Sequence, residues 1–212
     1  MPIQKILRWE VFLLRVARNK QNFPDNRIEK RGLTNTEFMQ ILKMIGQVAP
    51  VRAVYGRGLT HQCRHCAETE TLGHVLGFCD RGYLLRNQRH NNIRSMIADE
   101  FRRLKWNVYE EANCLNPIRS TQRIDIIIFK KKNDKAYIID PTIRIETSRE
   151  QPEEVNQEKK AHYDSVIPFF KDKYGLKDIE VIGVFIGARG TISVDFENFR
   201  TKFDISKDLR NQ

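Results

Sequence analysis

Disulfides are the first thing this sequence cannot rely on. Of its 212 residues only four are cysteine, and three of these fall together between positions 63 and 79. That clustering argues against a disulfide framework and for metal ligands in a reducing compartment. Long apolar runs are also missing. No stretch approaches the roughly eighteen uncharged apolar residues that cross a bilayer, so no membrane partner is expected. The opening stretch MPIQKILRWEVFLLRVARNK is interrupted by Arg8, Glu10 and Arg15 and lacks a signal-peptide cleavage pattern. The expectation is an intracellular protein. Internal repeats and low-complexity segments are absent as well, while a hydrophobic content of 40% fits a chain that folds around a core.

Acidic residues are scarce in the first half alone. Residues 1–60 hold 11 Lys and Arg against 4 Asp and Glu, and residues 61–106 hold 8 against 5. Residues 107–212 carry 18 of each sign, so the whole net charge of +10 sits before position 107. A basic half joined to a balanced, carboxylate-bearing half suits a nucleic-acid grip joined to something else.

The pattern of elements divides the chain similarly. Residues 3–18 read as a helix. A second helix follows Thr34, with Glu37 completing a capping box, an apolar stripe of Phe38, Ile41, Leu42 and Ile45, and Gly46 as its stop. A long helix is expected over about 82–105. From 107 short apolar runs take over, with the helical stretch PEEVNQEKKAHYDSVIPFF between the last two. This predicts an α/β core.

The cysteines follow the spacing Cys63-x2-Cys66-x7-His74-x4-Cys79, a tetrahedral Cys3His set for structural Zn2+, with all four positions taken by protein. His61 and His65 are alternative ligands that would crowd the chelate. The arginines around the set, Arg52, Arg57, Arg64, Arg81, Arg86 and Arg89, make nucleic acid the expected partner of this module. A solvated charged surface is the plainer alternative.

A second constellation lies in RIDIIIFKKKNDKAYIIDPTIRIE. If Phe129 pairs with Ala136 across the turn, Asp125 falls opposite Asp140. Directly opposed side chains have Cβ atoms roughly 4.5–5.5 Å apart. Two facing carboxylates repel unless a cation sits between them, and hard oxygen ligands suit Mg2+ or Mn2+. In the following helix Val155, His162, Tyr163, Val166 and Phe170 form an apolar face. Lys159 lies near its middle, with Lys160 about 100° further round, and Lys159 and Tyr163 are i, i+4 neighbours. Two metal-binding aspartates with a lysine are the parts of a phosphodiester-cleaving centre. A surface hairpin with a snorkelling lysine is the structural alternative.

These segments in this order, GLTNTEFMQILKMIGQVAPVRAVYGRG, the Cys3His set, RIDIIIF, IIDPTIRIE, EKKAHY and IEVIGVFIGARGTI, resemble the C-terminal region of non-LTR (type-1) retrotransposable-element polyproteins. The resemblance is to the class that inserts site-specifically, typically into ribosomal RNA genes. It implies a basic helical linker (1–58), a zinc knuckle (59–81) and a restriction-endonuclease-like domain of the PD-(D/E)xK type with a mixed sheet (82–212). It further implies a nuclear DNA endonuclease that nicks its target so that the 3′ end primes reverse transcription, with element RNA as a second partner. Asp125 matches the aspartate of the PD element and Asp140 the second acidic ligand.

Ile124 stands where the family often has proline, and Thr142 where a standard motif has lysine. The lysine is then expected from the helix, as Lys159 with Tyr163 beside it. Glu111 is a candidate third carboxylate, and Arg119 and Arg123 are candidate phosphate contacts. No reverse transcriptase precedes the region, so the sequence reads as a truncated copy or fragment. The competing expectation is a remnant that binds nucleic acid without cutting it.

Overall fold

The computed structural model describes residues 34–46, 48–54, 60–115, 118, 120–130 and 134–205. The expected helix over 3–18 and the candidate contacts Arg57 and Arg119 lie outside the described residues. The chain divides into two compact units. One gathers Met1–His90 with Arg144–Glu146 and Gly187–Ile192, the other Asn91–Ile143, Thr147–Ile186 and Ser193–Gln212.

In the first unit helix α1 (Asn35–Ile45) begins directly after Thr34, whose carbonyl accepts from the Phe38 amide at 3.0 Å. The Gly46 amide donates to the Leu42 carbonyl at 2.9 Å, where the helix stops. Of the expected stripe Phe38 and Leu42 are half-buried, whereas Met44, which lies off it, is buried. An antiparallel bridge between Gln62 and Thr69 then closes a tight loop around the first two cysteines. A π-helical turn (His74–Phe78) and a 3-10 turn (Asp80–Gly82) lead into α2 (Tyr83–Arg103), close to the predicted long helix.

The second unit is built on a four-stranded mixed sheet in the order β1 (Asn107–Leu115), β2 (Thr121–Phe129), β3 (Lys135–Arg144), β4 (Asp178–Gly187). The fold is therefore α/β. β1 and β2 are antiparallel, as are β2 and β3, whose register runs from Phe129 opposite Ala136 to Ile126 opposite Ile139. This is the register expected from the sequence. Ile124, Ile126, Ile127, Ile128, Ile138 and Ile139 are all fully buried, so both faces of these strands are covered.

The crossover from β3 to β4 is helical but not one helix. α3 (Gln151–Tyr163) ends in a 3-10 turn (Asp164–Val166), and α4 (Ile167–Tyr174) starts again behind it. The sequence suggested a continuous helix. Pro168 breaks it, since proline has no amide hydrogen and its ring clashes with the carbonyl four residues back, whereas it is accepted in the first turn of a new helix. Tyr163, Val166 and Phe170 pack with Ile127, Ala136 and Ile138 on one side of the sheet. A separate edge-to-face aromatic group joins Phe101, Trp106, Tyr137 and Phe203 with Phe199 of α5 (Val194–Lys202).

One close approach fixes where α3 lies. A Cβ at Gly183 in β4 would stand 2.8 Å from the Val155 carbonyl oxygen, 2.9 Å from the Asn156 Cα and 3.0 Å from the Lys159 Cγ. The Asn156 side chain accepts from the Gly183 amide at 3.1 Å. Only glycine lets helix and strand meet this closely, and Lys159 is carried into place by that seat.

Candidate metal centre and carboxylate site

In the first unit the Sγ atoms of Cys63, Cys66 and Cys79 and a ring nitrogen of His74 all lie within 4.8 Å of one another. Cys63 Sγ and Cys79 Sγ are 3.9 Å apart, and Cys66 Sγ is 3.1 Å from His74 Nε2. Zn–S bonds of about 2.3 Å make the edge of a zinc tetrahedron about 3.8 Å, so the donors are already spaced for one ion. Cys63 and Cys79 are buried.

Their thiols are pushed in opposite directions. Burial acts to raise Cys63, but the amides of His65 and Cys66 and the neighbouring sulfurs outweigh it and lower it. Burial and the charges of Cys63 and Cys66 raise Cys79. Thiolates crowded this closely need a cation, and the Cys3His donor set fits zinc. His61 and His65 are both exposed and take no part in this set.

The arginines expected around the knuckle divide. Glu70, which is buried, accepts from the amides of Arg52 (3.1 Å) and Arg64 (3.0 Å) and pairs with the Arg64 guanidinium at 3.3 Å. Arg52 also donates to the Gln62 carbonyl, and Arg86 to the Cys79 carbonyl at 2.6 Å. These side chains brace the loop as well as charging its surface. Arg89 is a correction to the sequence reading, because it is buried and reaches the Leu76 carbonyl. Burial pulls its guanidinium down to about 10, against the carboxylate of Glu146, so it stays charged at neutral pH. Arg81 is exposed.

The second unit holds the aspartates. Carrying the β2–β3 register one step past Ile126 and Ile139 sets Asp125 opposite Asp140. Asp140 is buried, and its Oδ2 accepts from the Tyr163 hydroxyl at 2.8 Å and pairs with Lys159 Nζ at 3.0 Å. Its Oδ1 accepts from the Thr142 hydroxyl at 3.2 Å. Lys159 therefore faces Asp140, while Lys160 is exposed. Burial, then the charge of Asp140, drives the Tyr163 hydroxyl far above its ordinary value, with Asp125 adding to the effect. Tyr163 stays protonated and acts as a donor. Asp125 and Asp140 are the oxygen donors here that could hold a hard divalent cation.

His162 departs from the sequence reading. The pattern puts it on the apolar face of the helix, but it is exposed, 2.8 Å from Gln122 Nε2, with its ring edge-on to Tyr163. The polar contact available outside explains why the ring does not enter the core.

Glu111 shares the row. Its neighbours Glu110 and Ala112 face Ile126 and Ile124, which leaves Glu111 opposite Asp125. It has φ of 50°, a left-handed conformation that costs a non-glycine residue about 1–2 kcal/mol. Its carboxylate is tied to Arg94 and, at 3.0 Å, to Arg123. Among the described residues no three carboxylates form a group that could hold a metal, and the Glu111 carboxylate is engaged by two guanidinium groups instead. Arg94 was not singled out from the sequence. It is nearly buried and also bridges Glu110 at 3.2 Å, a helix-to-strand contact with no periodic signature in the chain.

No family model matches the chain. The Retrovirus-related Pol polyprotein from type-1 retrotransposable element R2 of Popillia japonica is 24% identical over 162 residues, covering 74% of this chain and 33% of that protein. The chain thus spans about a third of that relative's length. The likeness supports a retrotransposon-related protein. A solved protein of unknown function, AF1548, aligns with a TM-score of 0.32 at 11% identity over 53% of each chain, too slight a likeness to carry an argument.

Proposed function

We propose that this chain is the metal-dependent DNA endonuclease portion of a non-LTR retrotransposon polyprotein, nicking target DNA in the nucleus to supply a primer for reverse transcription. The observation that carries the reading is the buried Asp140 paired with Lys159 and bonded to the Tyr163 hydroxyl, with Asp125 one step beyond the end of the paired β2–β3 register. It also draws support from the likeness to the R2 polyprotein.

Asp125 and Asp140 would hold Mg2+ or Mn2+. A divalent ion bound there polarises the phosphate and lowers the pKa of the attacking water. Lys159 supplies a fixed positive charge against the charge that builds on the phosphate, and it acts strongly because its surroundings are largely dry. Tyr163 donates to Asp140 and locks that carboxylate in one orientation. Thr142 holds the other oxygen of the same carboxylate. Arg123, whose side chain is 61% exposed, is placed to exchange its contact with Glu111 for a phosphate.

The Cys3His module, with zinc as a structural ion, and the basic residues before it would grip DNA, with ribosomal RNA genes as the proposed target class and element RNA as the second ligand. A plasmid-nicking assay with Mg2+ tests the reading. Wild type is expected to convert supercoiled to open-circular plasmid, and Asp140→Ala to lose that conversion. Nicking that survives the substitution rejects the site. Nucleic-acid binding with no nicking in either protein leaves a binding module instead.

A further inference from the structure

We infer that Tyr109 is a stacking platform for an unpaired nucleobase lying beside the phosphate at the aspartate pair. The inference rests on the nuclease reading and adds to it the state of the substrate. The observation is a column of near-parallel rings in the second unit. Phe170, fully buried, stacks on Tyr174 with centroids 6.1 Å apart and planes 7° apart. Tyr174 stacks in turn on Tyr109 at 5.2 Å and 28°. Phe129 supports Tyr109 from the side at 5.9 Å and 19°. The column starts in the core and ends at Tyr109, which is 45% exposed.

Its position relates it to the aspartates. Tyr109 pairs with Ile127 on β2, and Asp125 lies two residues along that strand on the same face. Such diagonal neighbours lie roughly 7–8 Å apart. That is about two base steps of ~3.4 Å along a strand. β1 is at the edge of the sheet, and among the described residues no further strand covers Tyr109 from that side.

Charge favours a nucleic acid over an apolar protein segment. Lys173 is exposed and sits with its Nζ 5.4 Å from the Tyr174 ring, beside the column, and Arg123 lies beyond Asp125 in the other direction along β2. Cations therefore flank both the aspartates and the ring. An aromatic face stacks on any base that has left its pair, and that contact is sequence-tolerant. A base within a duplex already has both faces covered, so the surface selects an opened strand.

The test uses the zinc-loaded full chain and an oligonucleotide carrying 2-aminopurine, whose fluorescence falls on stacking, in buffer with Ca2+. Single-stranded probe is expected to be quenched by wild type and by Tyr109→Trp. Tyr109→Ala is expected to abolish the quench and weaken binding about tenfold. Tyr109→Leu keeps apolar bulk against Phe129 and Tyr174, and is expected to lose the quench with an unchanged melting temperature. Equal quenching in Tyr109→Ala, or equal quenching of a fully paired duplex, overturns the inference, as would a wild-type protein that leaves the probe unbound.

The two readings fail separately. If Asp140→Ala abolishes nicking while Tyr109→Ala alters neither quench nor nicking, only the platform is wrong. If quenching depends on Tyr109 but nothing nicks plasmid, the nuclease reading is wrong and the base contact stands.

Discussion

The two sites in this molecule are assembled in opposite ways. The Cys3His set draws all four donors from positions 63 to 79, with one tight loop and one helical turn bringing them together. The aspartate site needs two strands in correct register and a helix seated against a third strand before any of its parts meet. The first is a local chelate that a metal ion can fold. The second exists only once the sheet does. A metal ion bound at the chelate would stabilise the first unit directly, while the second is stabilised by its buried isoleucines and aromatic rings and carries its charges at a cost.

The sharpest way to break this contrast is at the chelate. Cys66→Ser is expected to lose zinc, measured by metal analysis, and to unfold the knuckle, because structural zinc supplies about 10–16 kcal/mol of apparent folding energy. The sheet is expected to keep its own melting transition, and a chelator should reproduce the effect on wild type. Full zinc occupancy in the variant would remove Cys66 from the ligand set.

Lys159→Met comes next. It is expected to lower the nicking rate about 10²–10³-fold, the usual loss when one preorganised charge-stabilising group is removed, with zinc content unchanged. Lys160→Met, at an exposed position, should stay near wild type. Equal losses in both would mean that the helix supplies general charge rather than one placed ammonium.

A smaller effect is expected from Gly183→Ala. The added methyl meets the Val155 carbonyl and forces α3 outward, a clash worth about 1–3 kcal/mol. Thermal melting should report that loss, and nicking should fall further than stability alone would require, because Lys159 moves with its helix.

The smallest is Tyr163→Phe, which removes one buried hydrogen bond worth about 1 kcal/mol and leaves Asp140 paired with Lys159. It also predicts a pH dependence. The Tyr163 hydroxyl is raised in the folded state from an ordinary value of 10.0, so its stabilising contribution is complete below that value and is lost as pH climbs above it. Wild type should therefore lose stability above pH 10 more steeply than Tyr163→Phe, as read by melting at stepped pH. Parallel curves would mean that the hydroxyl ionises as freely in the fold as in the unfolded chain.

What could be read from the chain follows the same division. Spacing alone pointed to the four donors that cluster in the fold, because a local chelate is written in consecutive residues. Register could be read by supposing that Phe129 pairs with Ala136 across the turn, and the strands do pair so from there to Ile126 and Ile139. The helical wheel separated Lys159 from Lys160, since periodicity survives in sequence.

What escaped was set by contacts between distant elements or by a single local exception. Arg89 belonged to a basic-looking stretch and turned out to be buried beneath the Leu76 turn. Pro168 was visible, but the apolar pattern ran through it and hid the break. The ties from Arg94 and Arg123 to Glu111 cross between elements and leave no trace in either segment.

The fit of Gly183 against α3 has a consequence for how copies of such an element age. Mobile sequences decay by random substitution, and a survey of copies would ordinarily score as intact any that keep both aspartates, the lysine and the tyrosine. Here one extra methyl, at a residue bearing no functional group at all, would meet the backbone of α3 and the stem of Lys159. Position 183 should be read alongside the charged positions when silent copies are told from working ones.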